Sequence, residues 1–199
     1  MILSVILLLV FVAVFASLMN QGMWTNFITL VNVITAALVA MNYFEPLADT
    51  LDRQEARAAY LYDFITIWMV FGVTLVVLRL ATDWMSQVKV RFFMPVEKVG
   101  GILFAIWVSW VMVCFTTMTL HTAPLSRHFM GFQQTPDAKM LFGFQPDRVW
   151  MGWVHRESKG TFSRFGGARP FDARGNFIVR YSNRRGEFEK QIDTLKSSK

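Results

Sequence analysis

Charge is scarce in this chain, and cysteine is nearly absent. Asp, Glu, Lys and Arg make up 17% of the 199 residues, against about 25% in an ordinary soluble domain. Cys114 is the single cysteine, so an intrachain disulfide is excluded and no redox compartment can be read. His121, His128 and His155 stand at no metal-ligand spacing with Cys114 or with carboxylates. No nucleophile elbow, phosphate loop or zinc helix occurs. The sequence therefore offers no catalytic residue, no cofactor site and no metal site, and it reads as non-enzymatic. Within its apolar runs Asp, Glu, Lys and His are missing altogether. Proton relays and ion pathways usually show as such residues inside the membrane, so a proton-driven pump built from this chain alone is disfavoured, which leaves open a pore of several copies lined by Ser, Thr and Asn.

What the chain does have is apolar length. Hydrophobic residues are 54% of the total, and four runs stand out. Ile2 to Met19 is apolar except for two serines. No Lys or Arg precedes it, whereas a signal peptide wants a positive start and a small-residue cleavage site, so a retained helix is expected. A short break containing Gly22 follows, then Phe27 to Tyr43, with Thr29, Asn32 and Thr35 on one helical face. Phe64 to Ala81 carries Gly72 near its middle, a further candidate for helix packing, and Arg79 at its end, where the guanidinium can snorkel to the interface. Val99 to Leu120 is twenty-two residues without a charge, enough to cross a hydrocarbon core of ~30 Å. Along this run Gly101, Ala105 and Ser109 recur every fourth residue, a small stripe of the kind over which helices pack closely in lipid.

The connections sharpen the layout. Glu45 to Asp63 carries carboxylates with Arg53 and Arg57 among them, and Leu47, Leu51, Ala58 and Leu61 mark an apolar side. This predicts an amphipathic interfacial helix with a solvated acidic face, starting at Pro46. Tyr60 and Tyr62 are expected at headgroup level on the side of this segment, and Trp84 and Trp107, with Phe92 and Phe93, in an interfacial belt on the side of the 82–98 loop. The fold class is thus all-α and membrane-embedded. It comprises four transmembrane helices over residues 1–120, an interfacial helix between the second and third, and a small α+β tail over 121–199. The bilayer is the first partner. A homo-oligomer or other membrane proteins are the further partners such a bundle allows.

The turn at Gly22, the polar segment between the second and third runs, and an acidic residue opening a fourth helix with small residues every four positions resemble the CvpA (colicin V production) family. In the fourth helix the family resembles Asp followed by three glycines at that spacing; here the positions hold Glu97, Gly101, Ala105 and Ser109. The family's first turn usually shows Gly-x-x-Arg-Glu, whereas this chain reads Gly22, Met23, Trp24, Thr25 and Asn26, with no ionic pair. The resemblance covers residues 1–120. It implies an integral inner-membrane protein of colicin V production type, with the first loop in the cytoplasm and both termini outside.

The basic excess lies beyond Leu120. Residues 1–120 hold six Lys and Arg against seven Asp and Glu, and residues 121–199 hold fourteen against seven. Pro124, Gly131, Pro136 and Gly143 punctuate an irregular linker with two Phe clusters. Gln145 to Gly160 reads as a helix, with Val149, Trp150, Trp153 and Val154 as its apolar edge for a tail strand or the bilayer. Asn176 to Tyr181 reads as a strand, Asn183 to Gly186 as a turn, and Glu187 to Lys196 as a short helix. Anionic lipid headgroups suit this tail better than nucleic acid, since no nucleic-acid-binding module is present. The functional expectation is a scaffold or accessory membrane component. An oligomeric channel or transporter subunit is the alternative, and an enzyme with its site in the tail ranks last.

Overall fold

Long apolar stretches must close their own backbone hydrogen bonds, and they do so here as helices. The computed structural model describes residues 2–53, 59–86, 93–125, 129–132, 141–160 and 170–197. Six α-helices follow in chain order: α1 (Ile2–Leu18), α2 (Met23–Asp52), α3 (Ala59–Met85), α4 (Met94–Thr119), α5 (Pro146–Glu157) and α6 (Phe177–Ser197). No strand occurs among the described residues. Among the described residues, three helical segments are long and apolar enough to cross a membrane: Met23–Asp52, Leu61–Met85 and Met94–Thr119. The fourth expected span, Ile2–Leu18, is a shorter apolar helix of 17 residues.

Helix α4 is the axis of the molecule. It packs against α1, α2 and α5, while α3 lies mainly on α2. Phe115 of α4 sits between Trp68 and Phe71 of α3, with ring centroids 5.3 and 4.6 Å away, and meets Trp150 of α5 at 6.3 Å. One buried cluster runs from Leu18 through Ala37, Met41, Ile67 and Phe115 to Phe171 and Tyr181, so the core does not stop at residue 120. A second small cluster joins Leu3 and Leu7 of α1 to Val113 of α4 and Phe132 of the linker.

Two elements differ from the sequence reading. No separate interfacial helix begins at Pro46; α2 continues through it to Asp52. Pro46 cannot supply the amide that would close on the carbonyl of Asn42, yet the following turns persist, with Thr50 Oγ1 donating to Pro46 O at 2.8 Å. The apolar part of α2, Phe27 to Phe44, is eighteen residues, or about 27 Å of helix. The helix therefore extends about two turns beyond it. The expected strand at Asn176–Tyr181, apart from Asn176 itself, and the turn at Asn183–Gly186 lie inside α6, a single helix of 21 residues. Asp172 Oδ1 accepts from the amides of Asn176 and Phe177 at 2.9 and 3.2 Å and starts the helix there. Phe177 and Tyr181, one turn apart, pack tilted with ring centroids 4.6 Å apart on the buried side. A helical face with a packed neighbour outweighs the β-propensity of Ile178 and Val179.

Candidate functional site

Both ends of the helical bundle are built from polar contacts, and the first is where α1 turns into α2. Gly22 and Gly101 allow that turn to lie on α4. A Cβ on Gly101 would stand 2.9 Å from the backbone oxygen of Gln21, and one on Gly22 would stand 2.7 Å from Glu97 Oε1. A Cβ on Gly100 would crowd the Met23 side chain more closely still. Asn26, fully buried, donates from Nδ2 to Leu18 O at 3.1 Å and to Gly101 O at 2.9 Å, tying α1, α2 and α4 at one point. Beside this knot opens a cleft of about 450 Å³, edged by Met19, Asn20, Met94, Glu97 and Lys98. Further along α4, Ala105 and Ser109 are buried, and Ser109 Oγ donates to Ala105 O at 2.7 Å.

From the same end a polar seam runs between α2 and α3. Trp24 Nε1 donates to Ser86 Oγ at 3.0 Å, and Asn32 Nδ2 donates to Thr82 Oγ1 at 3.0 Å. Arg79 donates to Thr29 Oγ1 at 3.1 Å and to Asp83 Oδ2 at 3.1 Å, so it bridges the two helices as well as reaching outward. Asn32 thus has the cross-helix partner that a deep amide needs. Thr29 Oγ1 also donates to the carbonyl of Thr25 at 2.8 Å. Trp84 and Trp107 are well exposed and Tyr62 is half-buried, while the Tyr60 side chain lies outside the described residues. A Cβ on Gly72 would meet nothing within 4 Å among the described residues.

The far end is closed by the tail. Glu45, Asp52 and Asp63 of the 45–63 segment do not form a merely solvated face: α6 lies over them. Arg180 donates to Glu45, and Arg184 donates to Asp63 and stands 3.5 Å from Asp52. Tyr181 adds a side-chain hydrogen bond to Asp63. Arg185, 3% exposed, donates to the carbonyl of Leu120 just past α4 and lies 5.6 Å over the Phe132 ring. A cation there satisfies a helix-end carbonyl and complements the negative end of the dipole. Burial lowers the Arg185 guanidinium to about 10, only partly opposed by Glu189, and pushes the Tyr181 phenol well above its usual value. Burial acts to lower Arg180, yet its bond to Glu45 outweighs that and holds it above the ordinary value.

Beneath α6 sits a buried ion-pair geometry. His121 Nε2 and Asp147 Oδ2 are 2.9 Å apart, each side chain 1% exposed. The His121 ring also packs edge-on against Phe132 at 4.9 Å. The apolar edge of α5 meets α4, not a tail strand: Trp150 and Val154 are buried there, while Val149 remains exposed. His155 Nδ1 lies 2.7 Å from Phe171 O, and the Phe171 amide donates to Ser158 Oγ at 2.7 Å, locking the turn before α6 onto α5. His128, Glu55 and Arg57 lie outside the described residues. Among the described residues no three His, Cys, Asp or Glu side chains are grouped to hold a metal ion.

Sequence reading named Gly22, Glu97 and Gly101 without placing them together, and it missed Asn26, the His121–Asp147 pair and the α6 clamp. The available signal for the clamp was the i,i+4 spacing of Arg180 and Arg184, opposite an acidic segment of matching length.

Long apolar helices with buried small residues and polar contacts gathered at both ends define a multi-pass, membrane-type helical protein. The family model described as Colicin V production protein matches residues 3–142, and the chain belongs to that family. The match passes Leu120 and ends before α5, so α5 and α6 lie beyond it. No curated protein and no solved structure matches the chain.

Proposed function

We propose that this protein is a non-enzymatic scaffold or accessory component of the bacterial inner membrane, acting in a secretion-related or envelope process through helix packing and its folded-back tail. The observation that carries the reading is the double closure of the bundle. The first turn is knotted onto α4 through Asn26, and the far end is clamped by Arg180 and Arg184. Asn26 Nδ2, Arg180 and Arg184 are spent on contacts between helices, which suits a surface for docking rather than a reaction centre.

In this reading α1 is the fourth span, since 17 residues lie within the range that crosses a bilayer. Both termini and the clamp then share one face, and family analogy places that face outside. Arg156, Lys159 and Arg174 remain exposed on the tail and suit anionic headgroups or the acidic surface of a membrane partner. An oligomeric channel or transporter subunit is the second reading, favoured by the polar α2–α3 seam around Asn32 and Arg79.

Particle mass in detergent and ion flux in liposomes decide between them. A particle of one chain with no flux supports the scaffold; a ring-sized oligomer that conducts sinks it. Topology is read by labelling cysteines introduced singly at Trp84 and Arg174 in a Cys114→Ala background.

A further inference from the structure

The cleft between α2 and α3 has two unlike halves. Its mouth is Arg79 with Thr29, and its wall is Leu75, Val76 and Leu80; its volume is about 480 Å³. Val76 and Leu80 are 57% and 67% exposed, so the wall faces outward from the bundle. Leu75 and Val76 lie one turn before Arg79 on α3, toward the middle of the Leu61–Met85 span. Arg79 itself sits six residues from the end of that span, or about 9 Å along the helix axis. The cleft is therefore apolar toward the bilayer centre and cationic near the headgroups.

The guanidinium has capacity left. Arginine carries five N–H donors. The bonds to Asp83 and Thr29 occupy one on Nε and one on Nη1, and the others have no partner among the described residues. Its side chain is 43% exposed. A planar fork of this kind matches phosphate oxygens bidentately. Asp83, 60% exposed, opposes an anion in part while holding the fork in place.

On the membrane-spanning reading, we propose that this cleft seats one glycerophospholipid, with its phosphate on Arg79 and an acyl chain along Leu75 and Val76. It is distinct from any lipid contact of the basic tail, which lies at the opposite end of α2. The shared chemistry is a phosphodiester on a diacyl chain, whatever the headgroup beyond it.

Native mass spectrometry of the full chain, titrated with phosphatidylglycerol, phosphatidylethanolamine or diacylglycerol, tests this. The expected result is a saturable single adduct with both phospholipids and none with the phosphate-free diacylglycerol. Arg79→Gln should weaken that adduct about tenfold or more, the loss expected for a charge-assisted hydrogen bond. Asp83→Asn should strengthen it, and Val76→Trp, which fills the wall, should abolish it while leaving Arg79 in place. Equal adducts in wild type and both of these loss variants, or equal binding of diacylglycerol, overturns the proposal. If Arg79→Gln does not fold, the opposite responses of Asp83→Asn and Val76→Trp carry the test. Alkaline extraction of the membranes separates the two levels: protein that washes out refutes the spanning reading itself, whereas retained protein without a saturable adduct refutes only the lipid site.

Discussion

The backbone oxygen of Gln21 lies where a methyl group on Gly101 would be only 2.9 Å away, so the first turn and the fourth helix touch backbone to backbone. Three glycines give three different outcomes on substitution. Gly101→Ala pushes on a carbonyl that cannot swing aside and should cost about 1–3 kcal/mol, the usual range for overpacking. Gly22→Ala meets the end of the flexible Glu97 side chain and should cost less. Gly72→Ala meets open space and should be neutral or stabilising by about 0.5–1 kcal/mol, the helix preference of Ala over Gly. Thermal unfolding in detergent ranks them. A Gly72→Ala variant as damaged as Gly101→Ala would mean that a helix from another chain packs on that face.

Asn26 holds three helices through one amide. Asn26→Ala removes the donor from two carbonyls in a fully buried place, and about 1–3 kcal/mol should be lost. Asn26→Asp is expected to be worse, because an ionised carboxylate has no donor for either carbonyl. Unfolding midpoints in denaturant would show the order.

His121 and Asp147 answer to a double-mutant cycle. Removing either side chain deletes the buried 2.9 Å contact, and each single change to Leu should cost about 1–3 kcal/mol. The double change should cost less than the two singles combined. Full additivity would mean that the 2.9 Å contact carries no coupling.

The α6 clamp is electrostatic and should weaken with salt. Arg184→Asp places a carboxylate against Asp63 and Asp52 and should release the tail to protease, with Asp63→Arg restoring it in part. Coupling of about 0.5–3 kcal/mol is the usual range for groups in contact. Limited proteolysis of the pair across a salt series is the check.

Tyr181 sets an alkaline limit. Its phenol is raised by burial, so the native state keeps that proton when the unfolded chain has lost it. The stability it contributes is intact below about pH 10 and declines as pH climbs toward the higher folded value. Tyr181→Phe forfeits the bond to Asp63 yet should flatten the alkaline fall in stability. An unchanged slope above pH ~10 would remove Tyr181 as the cause.

Much of this was legible from local pattern. The apolar runs, the turn at Gly22, the acidic opening of α4 at Glu97 and the tail helix with Pro146 and Asp147 in its first turn follow from composition and spacing. Each depends on neighbours within a few residues, which is the range over which hydrophobic periodicity and capping act. The small stripe at Gly101, Ala105 and Ser109 was visible as spacing; that it faces the interior became clear only in the packed molecule.

Tertiary structure decided the rest. Arg180 meets Glu45 across 135 positions and Arg184 meets Asp63 across 121, and no local signal encodes a contact so distant. That contact gives α2 a reason to continue past Pro46 and turns the strand-like Phe177–Tyr181 into a helix with one buried and one charged face. The sequence by itself determined which segments must leave water. Only the folded chain determined which polar groups would meet at the two ends, because a charge chooses its partner by proximity in space.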